Sequence, residues 1–117
     1  MHSTSQYYIF APVKNEFLKN WETQLKKGLL PYFVLKALEA QERYGYELIQ
    51  HLKDDFNTEV TESTMYPLLT RLQKEELLVS KWIEQPTGIP RKYYYISENG
   101  RTNLAAMKKS IDENLTK

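Results

Sequence analysis

The chain has 117 residues, 41% of them hydrophobic, which is enough for one small domain with a modest core. A formal net charge of +1 excludes a global cationic field, so any nucleic-acid binding must come from local placement of Lys and Arg. The lack of cysteine excludes a disulfide framework and a thiolate metal site, and no apolar run approaches membrane-spanning length. With no signal-peptide pattern at the N-terminus, a cytoplasmic protein without a membrane partner is expected.

Residues 1–11 are polar and then aromatic (Tyr7, Tyr8, Ile9, Phe10) and show no period. Pro12 suits the first turn of a helix, so residues 1–20 read as an N-terminal extension with a helix start available at 12. Phe17, Trp21, Leu25 and Leu29 then form a stripe at spacings of four. Gly28 and Pro31 interrupt it, so either two helices meet there or one is kinked. Tyr32 to Ala40 is apolar nearly all round, the mark of a helix buried by its own domain, alone or together with a second copy.

After the polar break Gln41-Glu-Arg43, helical spacing resumes over Tyr44–Phe56, with Leu48, Ile49, Leu52 and Phe56 on one face and Asn57 as a C-terminal stop. The next helix begins at Thr61, a good N-cap, with Glu62 in the first turn where the helix dipole favours a carboxylate. Met65, Leu68, Leu69 and Leu72 lie at i, i+3, i+4 and i+7 on its apolar face; Ser63, Tyr66, Thr70, Arg71 and Lys74 occupy the other. Two helices joined by a short turn, the second polar toward its N-terminus, make a helix-turn-helix, and such a second helix suits the DNA major groove.

From Leu78 the pattern changes. Leu78–Ile83 and Lys92–Ile96 are rich in β-branched and aromatic residues, and the turn-rich stretch Glu84-Gln-Pro-Thr-Gly-Ile-Pro-Arg91 lies between them. This is a β-hairpin with a basic-ended tip, a wing. Ser97 caps a final helix on which Leu104, Met107, Ile111 and Leu115 make a stripe as narrow as a coiled-coil seam, with Lys108, Lys109, Asp112 and Glu113 outside it. The expected fold class is therefore mainly α with a small β-hairpin: a winged helix-turn-helix over 21–97, followed by a helix over 98–117.

Each candidate contact has a structural counterpart. Ser63 and Thr64 offer hydroxyls to base edges or spend them on capping. Tyr66, on the polar face, is assigned a phosphate hydrogen bond in preference to packing between helices. Pro67 withholds an N–H from the Ser63 carbonyl and stiffens or opens that turn. Thr70 adds a hydroxyl to the exposed face, and Arg71 either clamps the DNA backbone or pairs with Glu75 at i+4. Gly88, Arg91, Lys92 and Tyr93 form the wing's DNA-facing set, although Arg91 and Lys92 also protect a strand edge. Tyr44 leans to the core. Of Tyr93, Tyr94 and Tyr95, alternation buries Tyr94 or its two neighbours. Trp21 and Trp82 are assigned to the core or a dimer interface.

No enzyme is expected: there is no glycine-rich phosphate loop, no cysteine nucleophile and no His–carboxylate arrangement. His2 and His51 are isolated, so no metal site or cofactor is assigned.

Three blocks carry a family resemblance: Tyr44-Gly-Tyr-Glu-Leu, Glu62-Ser-Thr-Met-Tyr-Pro-Leu-Leu-Thr-Arg-Leu, and Gly88-Ile-Pro-Arg-Lys-Tyr-Tyr-Tyr. In order and spacing they resemble the signature blocks of the PadR family of transcriptional regulators, from about Trp21 to the C-terminus. The resemblance implies a homodimer built from the terminal helices, here through Trp21, Leu25, Leu104, Met107, Ile111 and Leu115. It further implies repression through an inverted-repeat operator on double-stranded DNA and, for many members, release by a small aromatic or drug-like effector. The chain departs from the pattern at Glu76, where the family commonly has glycine, and at Ile89, where a small residue or proline is usual. A Cβ at positive φ makes the left-handed cap at Glu76 less comfortable. The final helix is short and lacks tryptophan, so the aromatic drug clamp of some small relatives does not carry over. The rival reading is a winged-helix module that binds a protein partner and no operator.

Overall fold

The computed structural model describes residues 15–116; the lead-in and the helix start expected at Pro12 lie outside the described residues. Among the described residues the first element is a helix α1 (Glu16–Ala40), its first turn capped by the Asn15 side chain, which accepts from the Leu18 N–H at 2.7 Å. Gly28 and Pro31 do not split it into two helices: one element runs through both. Pro31 forfeits one helical hydrogen bond, and burial begins next to it. Before Leu30 no residue of α1 is buried, whereas Leu30, Val34, Leu35, Ala37 and Leu38 all are. Phe17, Trp21 and Leu25 thus remain exposed on the first half of the helix.

A two-residue strand β1 (Arg43–Tyr44) follows, then α2 (Gly45–Phe56) and α3 (Glu62–Lys74). The Glu47 carboxylate accepts from the Tyr44 N–H at 3.2 Å, satisfying a donor at the start of α2. Asn57 ends α2 in the left-handed region at φ 48°, as its short polar side chain permits. The expected apolar face of α3 is the observed one: Met65, Leu68, Leu69 and Leu72 are buried, and they meet Leu48 and Leu52 of α2 and the second half of α1 in one core. Burial of side chains of this size stabilises by roughly 1.5–3 kcal/mol each, so this cluster carries the fold.

Helix α3 ends in a two-bond cap. The Glu76 N–H donates to the Gln73 carbonyl and the Leu77 N–H to the Leu72 carbonyl, both at 2.9 Å, with Glu76 at φ 62°. The departure from glycine therefore falls on a residue held in the left-handed conformation.

The hairpin consists of β2 (Leu78–Ile83) and β3 (Arg91–Ile96), and β1 joins it in an antiparallel sheet of order β1-β3-β2. Its register pairs Leu78 with Ile96 and Ile83 with Arg91. Alternation buries Tyr94, opposite Ser80, and leaves Tyr93 and Tyr95 half-buried. Helix α4 (Glu98–Asn114) starts at Ser97, whose Oγ accepts from the Gly100 N–H at 2.9 Å and donates to the Glu76 carbonyl at 2.7 Å. It packs along α1. Leu104 is buried in the core and Met107 packs at its edge, whereas Leu115 is exposed. Lys108–Asp112 and Lys109–Glu113 pair outside the stripe at 3.1 and 4.0 Å. Among the described residues no helix is long and apolar enough to cross a membrane.

Candidate nucleic-acid interface

Because its apolar residues are committed to the core, α3 turns a fixed polar face outward. Ser63, Thr64, Tyr66, Pro67, Thr70, Arg71 and Lys74 are all exposed. Thr61 sits at the N-cap, but its hydroxyl caps no backbone N–H. It instead lies 2.9 Å from Ser63 Oγ and donates to Thr64 Oγ1 at 3.3 Å. The first turn thus presents a cluster of three linked hydroxyls, so neither Ser63 nor Thr64 is spent on the backbone.

The next turn is less free than its exposure suggests. The Thr70 hydroxyl donates to the Tyr66 carbonyl at 3.0 Å, directing it at its own helix. Arg71 Nε lies 3.5 Å from Glu75 Oε2, so the intrachain pair is present. Both side chains are exposed, and such pairs are worth about 0–1 kcal/mol, easily exchanged for another anion. Pro67 lies inside the helix and leaves the Ser63 carbonyl without its helical donor on the outward face.

Tyr66 combines an exposed edge with packing between helices, two states that its sequence position sets against each other. It is 39% exposed, yet its phenol lies against Gly45, where an added Cβ would fall on the hydroxyl and ring. The side chain therefore packs between α3 and the start of α2 with one edge open. Burial, and secondarily the Glu62 carboxylate, hold its pKa above the ordinary value. Tyr94 is shifted the same way, first by burial and then by Tyr66.

On the wing, residues 84–90 connect the strands. The Gly88 N–H donates to the Gln85 carbonyl at 2.8 Å, and Gly88 adopts φ +87°, which a side chain would strain. Arg91 and Lys92, adjacent in sequence, point to opposite sheet faces. The Arg91 guanidinium sits 4.4 Å from the centre of the Tyr44 ring, which meets Tyr93 edge-on at 5.5 Å. Tyr44 is thus half-buried at the sheet, holding a cation, rather than a core residue. Lys92 Nζ leans over Tyr94 at 5.7 Å and Trp82 at 5.9 Å, on the face that turns toward the core. Trp82 itself is 67% exposed and Trp21 52%, so neither is a core residue of this chain. The exposure of Trp82 had no signal in the sequence, because a strand tryptophan reads as core until the hairpin is seen to extend beyond it.

Lys27 was not among the expected site residues, yet it lines a groove beside α3 together with Thr64, Pro67 and Arg71. Helical spacing placed it near Leu30 and Pro31, but only the packing of α1 shows which face meets α3. Among the described residues no cluster of His, Asp and Glu is arranged to hold a metal ion.

A sequence profile of the Transcriptional regulator PadR-like family matches residues 34–106, from the buried half of α1 through the helix-turn-helix and wing into α4. An uncharacterised protein of Lysinibacillus sphaericus is 31% identical over 89 residues, or 74% of this chain and 82% of that protein. Among solved structures, a PadR-like transcription factor from Bacteroides fragilis is 38% identical with a TM-score of 0.68, covering 80% of this chain and 90% of that one. A PadR-like transcriptional regulator from Bacillus cereus is also 38% identical, with a TM-score of 0.72 over the same shares. A PadR family transcriptional regulator from Eggerthella lenta is 30% identical with a TM-score of 0.74, covering 81% of this chain and 82% of that one. Three sequence blocks, a helix-turn-helix with its polar face outward and a basic wing thus meet in one assignment: the chain belongs to the PadR-like family of transcriptional regulators.

Proposed function

We propose that the chain is a homodimeric repressor that binds an inverted-repeat operator and is released from it by a small aromatic or drug-like effector. The observation that carries the DNA-binding part is the outward face of α3. Its first turn presents linked hydroxyls, its later turns end in Arg71 and Lys74, and the Arg91 and Lys92 cations lie on the wing. With a net charge of only +1, this local clustering supplies the electrostatics that the whole chain lacks.

In this reading Ser63 and Thr64 contact base edges, and Tyr66, Thr70 and Arg71 line the groove wall. The wing, set by Gly88, brings Arg91, Lys92 and Tyr93 to flanking phosphates or the minor groove. The dimer is supported by apolar residues left uncovered on the terminal helices: Trp21 and Leu25 on α1, and Leu115 on α4. An effector lodged where those helices meet would change the distance between the two copies of α3, and would act only through unequal affinity for the two spacings.

The test is selection of bound sequences from a random duplex pool, repeated at two salt concentrations. An enriched inverted repeat with half-sites about one helical turn apart, bound salt-sensitively, is the expected result. Properly folded protein that enriches nothing and retains no DNA would favour the winged-helix protein-interaction module instead.

A further inference from the structure

Helix α1 passes α3 at a groove of about 370 Å³, with Lys27 and Pro31 on one wall and Thr64, Pro67 and Arg71 on the other. Leu30, buried one turn from Lys27, anchors α1 there and fixes where the lysine emerges. The two neighbouring lysines differ. Lys26 Nζ is bound to the Asn57 carbonyl at 2.7 Å, whereas Lys27 is exposed and makes no hydrogen bond or ion pair among the described residues. Across the groove, Arg71 is held among the described residues only by its exposed contact with Glu75.

The surrounding charges choose the occupant. A second recess, sharing Lys27 and Thr64, continues toward the turn between α2 and α3, and Glu59 lines it. Lys26 lines that end too, but its ammonium is taken up by the Asn57 carbonyl and Glu59 offsets its charge. At the Lys27–Arg71 end the floor is apolar and the walls are cationic, and the outward face of α3 adjoins it.

We propose that this groove seats one backbone phosphate of the DNA strand bordering the major groove that α3 enters, with Lys27 as the cation supplied by α1. The inference rests on the DNA-binding reading above. Cations from two helices on one phosphate would set the angle at which α3 lies in the groove, a contact that positions without reading sequence.

The experiment measures binding of mixed-sequence duplex DNA, and of any enriched operator, by fluorescence anisotropy over a salt series. It compares the full chain with Lys27→Ala, Lys27→Arg and, as a control on α4, Lys109→Ala. Lys27→Ala should bind severalfold more weakly on every sequence, with the log–log salt slope reduced by roughly 0.9 per protomer bound. Lys27→Arg should restore both, Lys109→Ala should match the wild type, and all melting temperatures should agree. Unchanged affinity and slope in Lys27→Ala would overturn the phosphate seat while leaving DNA binding intact. Altered sequence preference at an unchanged slope would also overturn it, in favour of a base contact. A wild-type protein whose retention ignores salt would overturn this inference and the DNA-binding reading together.

Discussion

The phenol of Tyr66 on α3 lies directly against the backbone of Gly45 at the start of α2, so the two helices of the helix-turn-helix touch where one residue has no side chain. Gly45 is buried and has a negative φ, so its conformation does not demand glycine. The demand comes from Tyr66. This relates two of the blocks on which the family resemblance rests: Tyr44-Gly-Tyr-Glu-Leu supplies the gap that the tyrosine of Ser-Thr-Met-Tyr fills.

The sign of Gly45→Ala tests this relationship. At a helix position with open space, replacing glycine with alanine stabilises by about 0.4–1 kcal/mol through the unfolded chain. Here the new Cβ would strike the Tyr66 ring, and overpacking costs roughly 1–3 kcal/mol. Denaturant titration should show a loss for Gly45→Ala. The loss should shrink when Tyr66→Ala is already present, giving a coupling energy in the double-mutant cycle. Stabilisation by Gly45→Ala alone would show that Tyr66 has room to move.

Glu76 should respond in the opposite direction. It occupies the left-handed position of the α3 cap at φ 62°, and an L-residue there costs on the order of 1 kcal/mol. Glu76→Gly should therefore stabilise by a little less than that, since glycine also frees the unfolded chain, with a melting temperature higher by a few degrees. The hydrogen bonds of its N–H to Gln73, and of Ser97 to its carbonyl, involve only Glu76 backbone and should survive. DNA affinity should not change, which separates this position from the interface.

Much of this architecture was legible because the decisive patterns are local. Four apolar residues of α3 at helical spacing fix its buried face, and hence its outward one. Glu76 was identifiable only through the resemblance to a family that commonly has glycine at that place. The unread parts are relations between segments. A strand of two residues, Arg43–Tyr44, has no period to detect, and it exists only because β3 offers an edge. The neighbours Arg91 and Lys92 look like one cationic tip until the register sends them to opposite faces. Tyr66 could not be seen to lie on Gly45 from either segment alone.

The split of the wing cations gives each a different aromatic support. Arg91 is stacked on Tyr44 on one face, and Lys92 leans over Trp82 and Tyr94 on the other. Arg91→Ala and Lys92→Ala should each lower the salt slope if both reach phosphates, by roughly 0.9 for every phosphate left without its cation. Tyr44→Leu, which removes the ring under Arg91, should weaken binding in the wild type but not in Arg91→Ala. Equal effects of Tyr44→Leu in both backgrounds would show that the stacked arginine is not what reaches DNA.

Stability should fall in alkaline solution, with a sign set by the raised pKa values of Tyr66 and Tyr94. Both phenols keep their protons to higher pH when folded than at their ordinary value of 10.0. Above that value the native state binds more protons than the unfolded one, so stability decreases as pH rises. The contribution is complete below pH 10 and is lost as pH climbs through the folded-state values. Melting curves on either side of this range should show the fall, and Tyr66→Phe should make it shallower. An identical slope in Tyr66→Phe would remove Tyr66 as a contributor.

The stripe along α4 divides into two kinds of residue, and substitution should separate them. Leu104 is only 4% exposed within the single chain, whereas Ile111 is part-exposed and Leu115 lies open near the helix end. Leu104→Ala removes core volume and should cost about 2–5 kcal/mol of stability whatever the oligomeric state. Ile111→Lys and Leu115→Lys remove little from the chain's own core. If α1 and α4 form the dimer, each puts a charge into an apolar contact that two copies share. Sedimentation should then show dimer in the wild type, and a shift to folded monomer in Ile111→Lys with far-UV circular dichroism retained. Because a symmetric operator engages two copies, the same variant should lose most of its operator affinity while keeping weak, salt-sensitive binding to mixed-sequence DNA. A dimer that survives Ile111→Lys and Leu115→Lys together would move the interface off this stripe and onto Trp21 and Leu25 of α1.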